Sequence, residues 1–290
     1  MSGARALVVT ADDVGLHPGM TDGALAAHDD GLVTACSLAA CGAAFDGAVA
    51  ALAARPALDV GVHLTLVEER PLSPANEVPS LVGRDGRFHP GFRSFVARYA
   101  LGGIALAEVE REWRRQIARV LAAGLTPVHL NSHQHLHALP GLFRLTVRLA
   151  AEHGIPFVRI PSDPAAFRSA AARALAVRVL DRLGRSARRH LDSAPPGPAR
   201  GLDRTVGVLA AGRLDEPALL AALDDVEGTC ELVCHPGMGD AALARAYAWG
   251  YRWDAETAAL RAPSAAAALA ARGIALTRFS RLADPLDAAR

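Results

Sequence analysis

Lysine is absent: all 31 basic residues other than histidine are arginine, against 30 acids, leaving a net charge of +1. Beside the abundant alanine, that reflects genome composition, and the balance removes any electrostatic case for binding nucleic acid. Cysteine is scarce. Cys36, Cys41, Cys230 and Cys234 are spaced unlike the tight pairs of structural zinc sites or a secreted disulfide scaffold, so they read as small buried hydrophobes in a reducing compartment. No apolar run reaches the ~18–20 residues of a membrane span. The first acids, Asp12 and Asp13, follow a run too short for a signal h-region. These absences predict a cytoplasmic protein.

What is present is alternation. Short apolar runs fall at 6–10, 34–39, 60–66, 128–131, 157–160, 206–209, 232–234 and 274–279. Segments of helical period lie between them, among them 20–29, 44–54, 106–123, 142–152, 217–223 and 264–271. Strand–helix alternation predicts parallel strands with crossover helices. Eight strands in 290 residues fit a single α/β domain over 1–290, a TIM-like (β/α) barrel, distorted or with seven good strands. A doubly wound sheet is the alternative, but no G-x-G-x-x-G follows the first strand. Two segments exceed ordinary connections, 68–103 and the Arg-rich 162–204. Long βα loops are where barrels place substrate contacts, and the second segment could also form a lid or meet a membrane surface.

Polar residues cluster where strands end. The first strand runs into Asp12-Asp13; on an extended chain, adjacent side chains diverge, so one carboxylate can reach a metal while the other faces water. His63 interrupts an apolar strand, a costly position unless it is satisfied or functional. His129, His133, His135 and His137, with Asn131, occupy alternate positions of one segment. They cannot all meet one ion, since 129 to 137 spans ~26 Å at ~3.3 Å per residue, so His133 at the strand end is the ligand expected there. His-Pro-Gly at 235–237 stops a strand and leaves His235 at the barrel mouth. One carboxylate and two imidazoles at the C-terminal face make a metal triad with open positions, a second carboxylate can be the base, and a further His the acid.

In order, Thr10-Ala-Asp-Asp-Val-Gly-Leu16, Gly61-Val-His-Leu64, the 129–137 His segment and His235-Pro-Gly237 resemble the motifs of the YdjC-like carbohydrate deacetylases, which include chitooligosaccharide deacetylases. The likeness runs from about residue 5 to about 280 and includes Gly31-Leu-Val-Thr34 and Gly273-Ile274. It implies a TIM-like barrel, often dimeric, that removes the N-acetyl group of amino sugars. Asp13, His63 and His133 would hold one divalent ion, zinc or magnesium foremost, with manganese, cobalt or iron as alternatives. Asp12 would be the base and His235 the acid. Asn131, His135 and His137 would face the substrate. The family commonly has Asp where this chain has Asn131, and a neutral side chain cannot supply charge to a ligand imidazole. That departure, with Val-Glu-Glu-Arg-Pro-Leu at 67–72, is closer to a hopanoid-associated branch acting on an N-acetylglucosaminyl hopanoid, which adds a lipid-linked substrate and peripheral membrane contact to the expectations. The alternatives are a barrel hydrolase of another amide or a phosphoester, and a non-catalytic sugar-binding barrel. Phosphoesterase and amidohydrolase barrels usually open with H-x-H, not Asp-Asp. A decayed barrel would have lost Asp12 or His235.

Overall fold

The structure, a computed structural model, describes residues 5–162, 171–193 and 199–284. Its centre is one curved sheet in which every strand pair is parallel. The strands are β1 (Arg5–Val14), β2 (Ala35–Leu38), β3 (Asp59–Leu64), β4 (His129–Ser132), β5 (Phe157–Val158), β6 (Arg204–Val206), β7 (Thr229–Cys234) and β8 (Ile274–Leu276). They lie in the order β5-β4-β3-β2-β1-β7-β6, with β8 also on β1. Thr277 N donates to Leu7 O and Thr34 N to Val9 O, and carbonyls two residues apart point the same way. β8 and β2 therefore share one side of β1, end to end. The sheet's two edges meet where Val158 N donates to Arg200 O, just ahead of β6. The fold is thus the distorted TIM-like barrel expected from the alternation.

The eight runs read from sequence all become strands, though 208–209 turn into a 3-10 helix and 277–279 leave the sheet. Parallel strands covered on both faces are apolar throughout, as Leu7, Val8 and Val9 are here, each fully buried. Two helices matter for the site. Helix α1 (Pro18–Asp29) packs on the backbone after β7: Met238 N donates to Gly19 O at 2.7 Å, and a Cβ on Gly23 would overlap Gly237. Helix α2 (Trp253–Arg261) brings buried Glu256, which accepts from His235 N at 2.7 Å.

Both long insertions border the mouth. The 68–103 segment folds back through an antiparallel bridge between Val82 and Phe88 before the helix Gly91–Ala100. In the second, the helix Ala171–Ser193 packs Leu180 against Val208 and Val233 beside the pocket; 163–170 and 194–198 lie outside the described residues. Among the described residues no helix is long and apolar enough to cross a membrane. The four cysteines are free, and burial pushes their thiols up.

Candidate active site

All five residues expected to carry chemistry line one cavity of about 330 Å³ at the C-terminal ends of the strands: Asp12, Asp13, His63, His133 and His235. Asp13 has φ 66°, and the pairing of β1 with β2 slips between Ala11 and Val14. The carboxylates therefore do not diverge by extended-strand alternation, as the sequence suggested. A bulge turns the second into the mouth beside the first, and Asp is among the residues that tolerate this left-handed backbone best.

Around Asp13 the structure gathers three imidazoles, two of them close. His133 Nδ1 lies 2.8 Å and His63 Nε2 3.1 Å from Asp13 Oδ1, and His235 Nε2 lies 4.0 Å from Oδ2. Burial alone would raise the Asp13 carboxyl, but His133 and His63 outweigh it and hold it well below its ordinary range. Burial would likewise lower His133, yet Asp13 and Glu68 push it up to about 10.

His63 reveals what the cluster is built for. Asn131 must turn its NH2 toward Asp12 Oδ1, 3.0 Å away, because a carboxylate only accepts. Its Oδ1 then accepts from His63 Nδ1 at 2.8 Å, which in a neutral ring leaves a lone pair on Nε2. That nitrogen is buried, has no hydrogen-bond partner and faces Asp13 Oδ1. Two acceptors this close repel unless a proton or a metal ion lies between them. Asp13, His63 and His133 offer ligand atoms all within 4.8 Å of one another, and a carboxylate with two imidazoles suits a divalent ion. The residues fit one.

Asp12 sits in a different environment. Arg159 grips it with both nitrogens, Nη1 to Oδ2 at 2.5 Å and Nη2 to Oδ1 at 2.9 Å. The same guanidinium reaches Glu231 through Nη2 at 2.8 Å and Nε at 3.1 Å. Burial would raise the Asp12 carboxyl, but Arg159 overwhelms it and holds the group far below the carboxylate range. Asp12 stays ionised at neutral pH. Of its roughly four lone-pair sites, Arg159 and Asn131 occupy three, so one at Oδ2 remains for a water.

The polar residues expected to face substrate separate. His135 lines the cavity, in left-handed backbone like Gln134, because the strand stops at Ser132 and a 3-10 turn replaces its alternation. Asn131 and His137 do not face it. Both are fully buried, Asn131 among His63, Asp12 and Ser37, and His137 between Ser132 Oγ and Arg159 O. Neither lines the cavity: Asn131 bridges His63 and Asp12, and His137 joins the Ser132 hydroxyl to the Arg159 carbonyl.

Sequence reasoning missed Arg159 and Glu231, although each is a charge inside an apolar strand segment, the signal used for His63. It also missed Glu68, whose Oε2 lies 3.5 Å from His133 Nε2 and accepts from Trp249 Nε1 at 3.0 Å. Charge absent at 131 is thus present beside the His133 imidazole.

Replacing Asn131 with Leu should lower divalent-ion affinity by about 10–100-fold, as outer partners of ligand histidines typically do. Competition against a chelating dye measures it; unchanged affinity would show that His63 needs no such support.

Fold and site together define a TIM-like barrel whose mouth gathers a carboxylate and two imidazoles that could hold a metal ion. The profile of the YdjC-like protein family matches residues 6–271, and the chain belongs to that family. Its relatives include the carbohydrate deacetylase of Mus musculus, 33% identical over 98% of this chain and 96% of that protein. Chitooligosaccharide deacetylase of Serratia marcescens is 28% identical, over 96% of this chain and 99% of its own. A solved Enterococcus faecalis structure, provisionally named as a cellobiose-phosphate cleavage protein, superposes with a TM-score of 0.77 at 26% identity, covering 97% of this chain and all of that one.

Proposed function

We propose that the chain is a metal-dependent hydrolase that removes the acetyl group from an N-acetylated amino sugar, a GlcNAc-containing saccharide or glycolipid. The observation that carries this is the pairing of environments: an Asp13–His63–His133 cluster with an unpartnered buried His63 Nε2, flanked by the ionised Asp12 and by His235. The relatives' names, carbohydrate and chitooligosaccharide deacetylase, point to the same reaction.

A divalent cation on Asp13, His63 and His133 would supply Lewis acidity toward water and the acetyl carbonyl. The chain's own groups do the rest. Asp12 takes the attacking water's proton at the open lone pair of Oδ2, while Arg159 keeps that carboxylate fixed and ionised. Asn131, bonded to both Asp12 and His63, ties base and ligand to one geometry. His235 stands on the other flank of Asp13, its backbone held by Glu256, and gives a proton to the departing amine.

Acetate release from a panel of N-acetylated saccharides and lipid-linked GlcNAc, with and without added zinc, magnesium, manganese, cobalt or iron, tests the reading. Turnover should require a divalent ion and stop with chelator. Release of acetate from none of them, or release indifferent to chelation, overturns it.

A further inference from the structure

His129 opens the histidine segment, yet it does not line the cavity, and its Nδ1 is buried without a partner. Three neighbouring strands set its place. In the parallel register Ser37 of β2 stands beside Gly61 of β3, and Gly61 stands beside His129 of β4. Adjacent strands lie ~4.8 Å apart, so side chains on β2 and β4 face each other across about twice that gap. A serine alone cannot span it. Gly61 opens the crossing, since a Cβ there would fall 2.3 Å from Cε1 and Nε2 of the His129 ring. The Gly61 backbone is not left-handed, so glycine is needed here for room rather than for conformation. The imidazole therefore lies over the glycine and reaches Ser37 Oγ at 3.0 Å. Its ring stacks on Phe279, with centroids 4.5 Å apart.

From Ser37 the bonds continue to the base. Asn131 Nδ2 donates to Ser37 Oγ at 2.7 Å and to Asp12 Oδ1 at 3.0 Å. Ser37 Oγ thus accepts from Asn131, and its own proton is free for His129 Nε2. In that arrangement only the Nδ1–H of His129 lacks a partner. Were Nε2–H to donate to Ser37 instead, the hydroxyl proton and the Nδ1 lone pair would both be stranded. Each buried polar group left unpaired is costly, so one is preferred to two. The ring is neutral, because burial, with Arg159 adding to it, pushes His129 down to about 3. Asp12 decides which end of Asn131 is the NH2. Ser37 decides where that amide stands, since a second buried N–H without an acceptor would draw the side chain elsewhere.

We propose that His129 is a positioning residue: by taking the Ser37 proton at Nε2 it keeps Ser37 an acceptor for Asn131, whose other N–H and Oδ1 then hold Asp12 and His63. It touches neither substrate nor reacting atoms and acts only through Ser37 and Asn131. The role rests on Asp12 as the base and His63 as a ligand, whereas the direction of the bonds does not.

Long-range proton–nitrogen NMR spectra of the chelator-treated full chain report which imidazole nitrogen carries the proton. His129 should carry it on Nδ1, in the signal that His129→Gln removes. Zinc competition against a chelating dye gives the second readout. Ser37→Ala and His129→Leu should each weaken zinc binding by about tenfold, the low end for partners behind a ligand histidine. His129→Gln, whose Oε1 can accept from Ser37, should recover most of that loss. A merely structural role would instead lower the melting temperature of both His129 variants and leave affinity unmoved. A proton on His129 Nε2, or wild-type affinity in Ser37→Ala, overturns the proposal. If His129→Leu does not fold, the wild-type spectrum and Ser37→Ala decide it. A wild type that binds no zinc or releases no acetate removes the deacetylase reading, and the proton position on His129 still decides the direction of the bonds.

Discussion

Asp12→Asn should keep the divalent ion and slow acetate release by about 10²–10⁴-fold, the usual worth of a general base. Asp13→Asn should lose ion and activity together. The neighbours separate because the bulge at Asp13 gives them different partners: Asp13 meets His133 and His63, Asp12 meets Arg159 and Asn131. Elemental analysis beside kcat for each variant checks the assignment. An Asp12→Asn protein without metal, alongside an Asp13→Asn protein that keeps it, would reverse the pair. Near-native turnover in both would remove them from the chemistry.

Arg159→Met should be the most destabilising change near the site, by about 3–5 kcal/mol, because it strands two carboxylates that share one buried cation. Arg159, Asp12 and Glu231 are all essentially buried. The sign of the pH effect follows from Asp12. Its folded value lies far below its ordinary 3.8, so the pair's contribution is fully present above pH 3.8 and is withdrawn as pH falls below it. Without Arg159, burial, the largest influence on the Asp12 carboxyl, is opposed only by His63 and His235 and should drive it upward, so the variant should lose stability as pH rises toward neutrality, opposite to the wild type's acid loss. Adding Glu231→Gln should restore part of the stability by removing one stranded charge. Thermal melts between pH 4 and 8 decide it; a variant as stable as the wild type at pH 7 would mean that water reaches the cluster freely.

Much of this site was legible in the sequence because strand ends are marked chemically. Asp12-Asp13, His63 and His-Pro-Gly at 235 are polar interruptions at the close of apolar runs, and a parallel barrel brings such closures to one face. What was not legible depended on contacts between distant strands. Nothing local says that Arg159 turns to Asp12, 147 positions away, or that Asn131 bridges two carboxylate- and imidazole-bearing strands. The alternate histidines part for a physical reason: period two holds only while the strand lasts, and it ends at Ser132. His137, in phase on paper, is rotated into the core by the left-handed pair Gln134–His135.

Helix α1 carries Gly19 and Gly23 one turn apart, both facing the backbone that follows His235. Glycine inside a helix costs about 1 kcal/mol relative to alanine, so both positions invite routine stabilisation. Here that gain is closed off, since any methyl group would push the His-Pro-Gly turn out of the mouth. The helix accepts a looser structure so that the loop after His235 can sit against it, and resistance to heat and the placing of His235 become one variable rather than two.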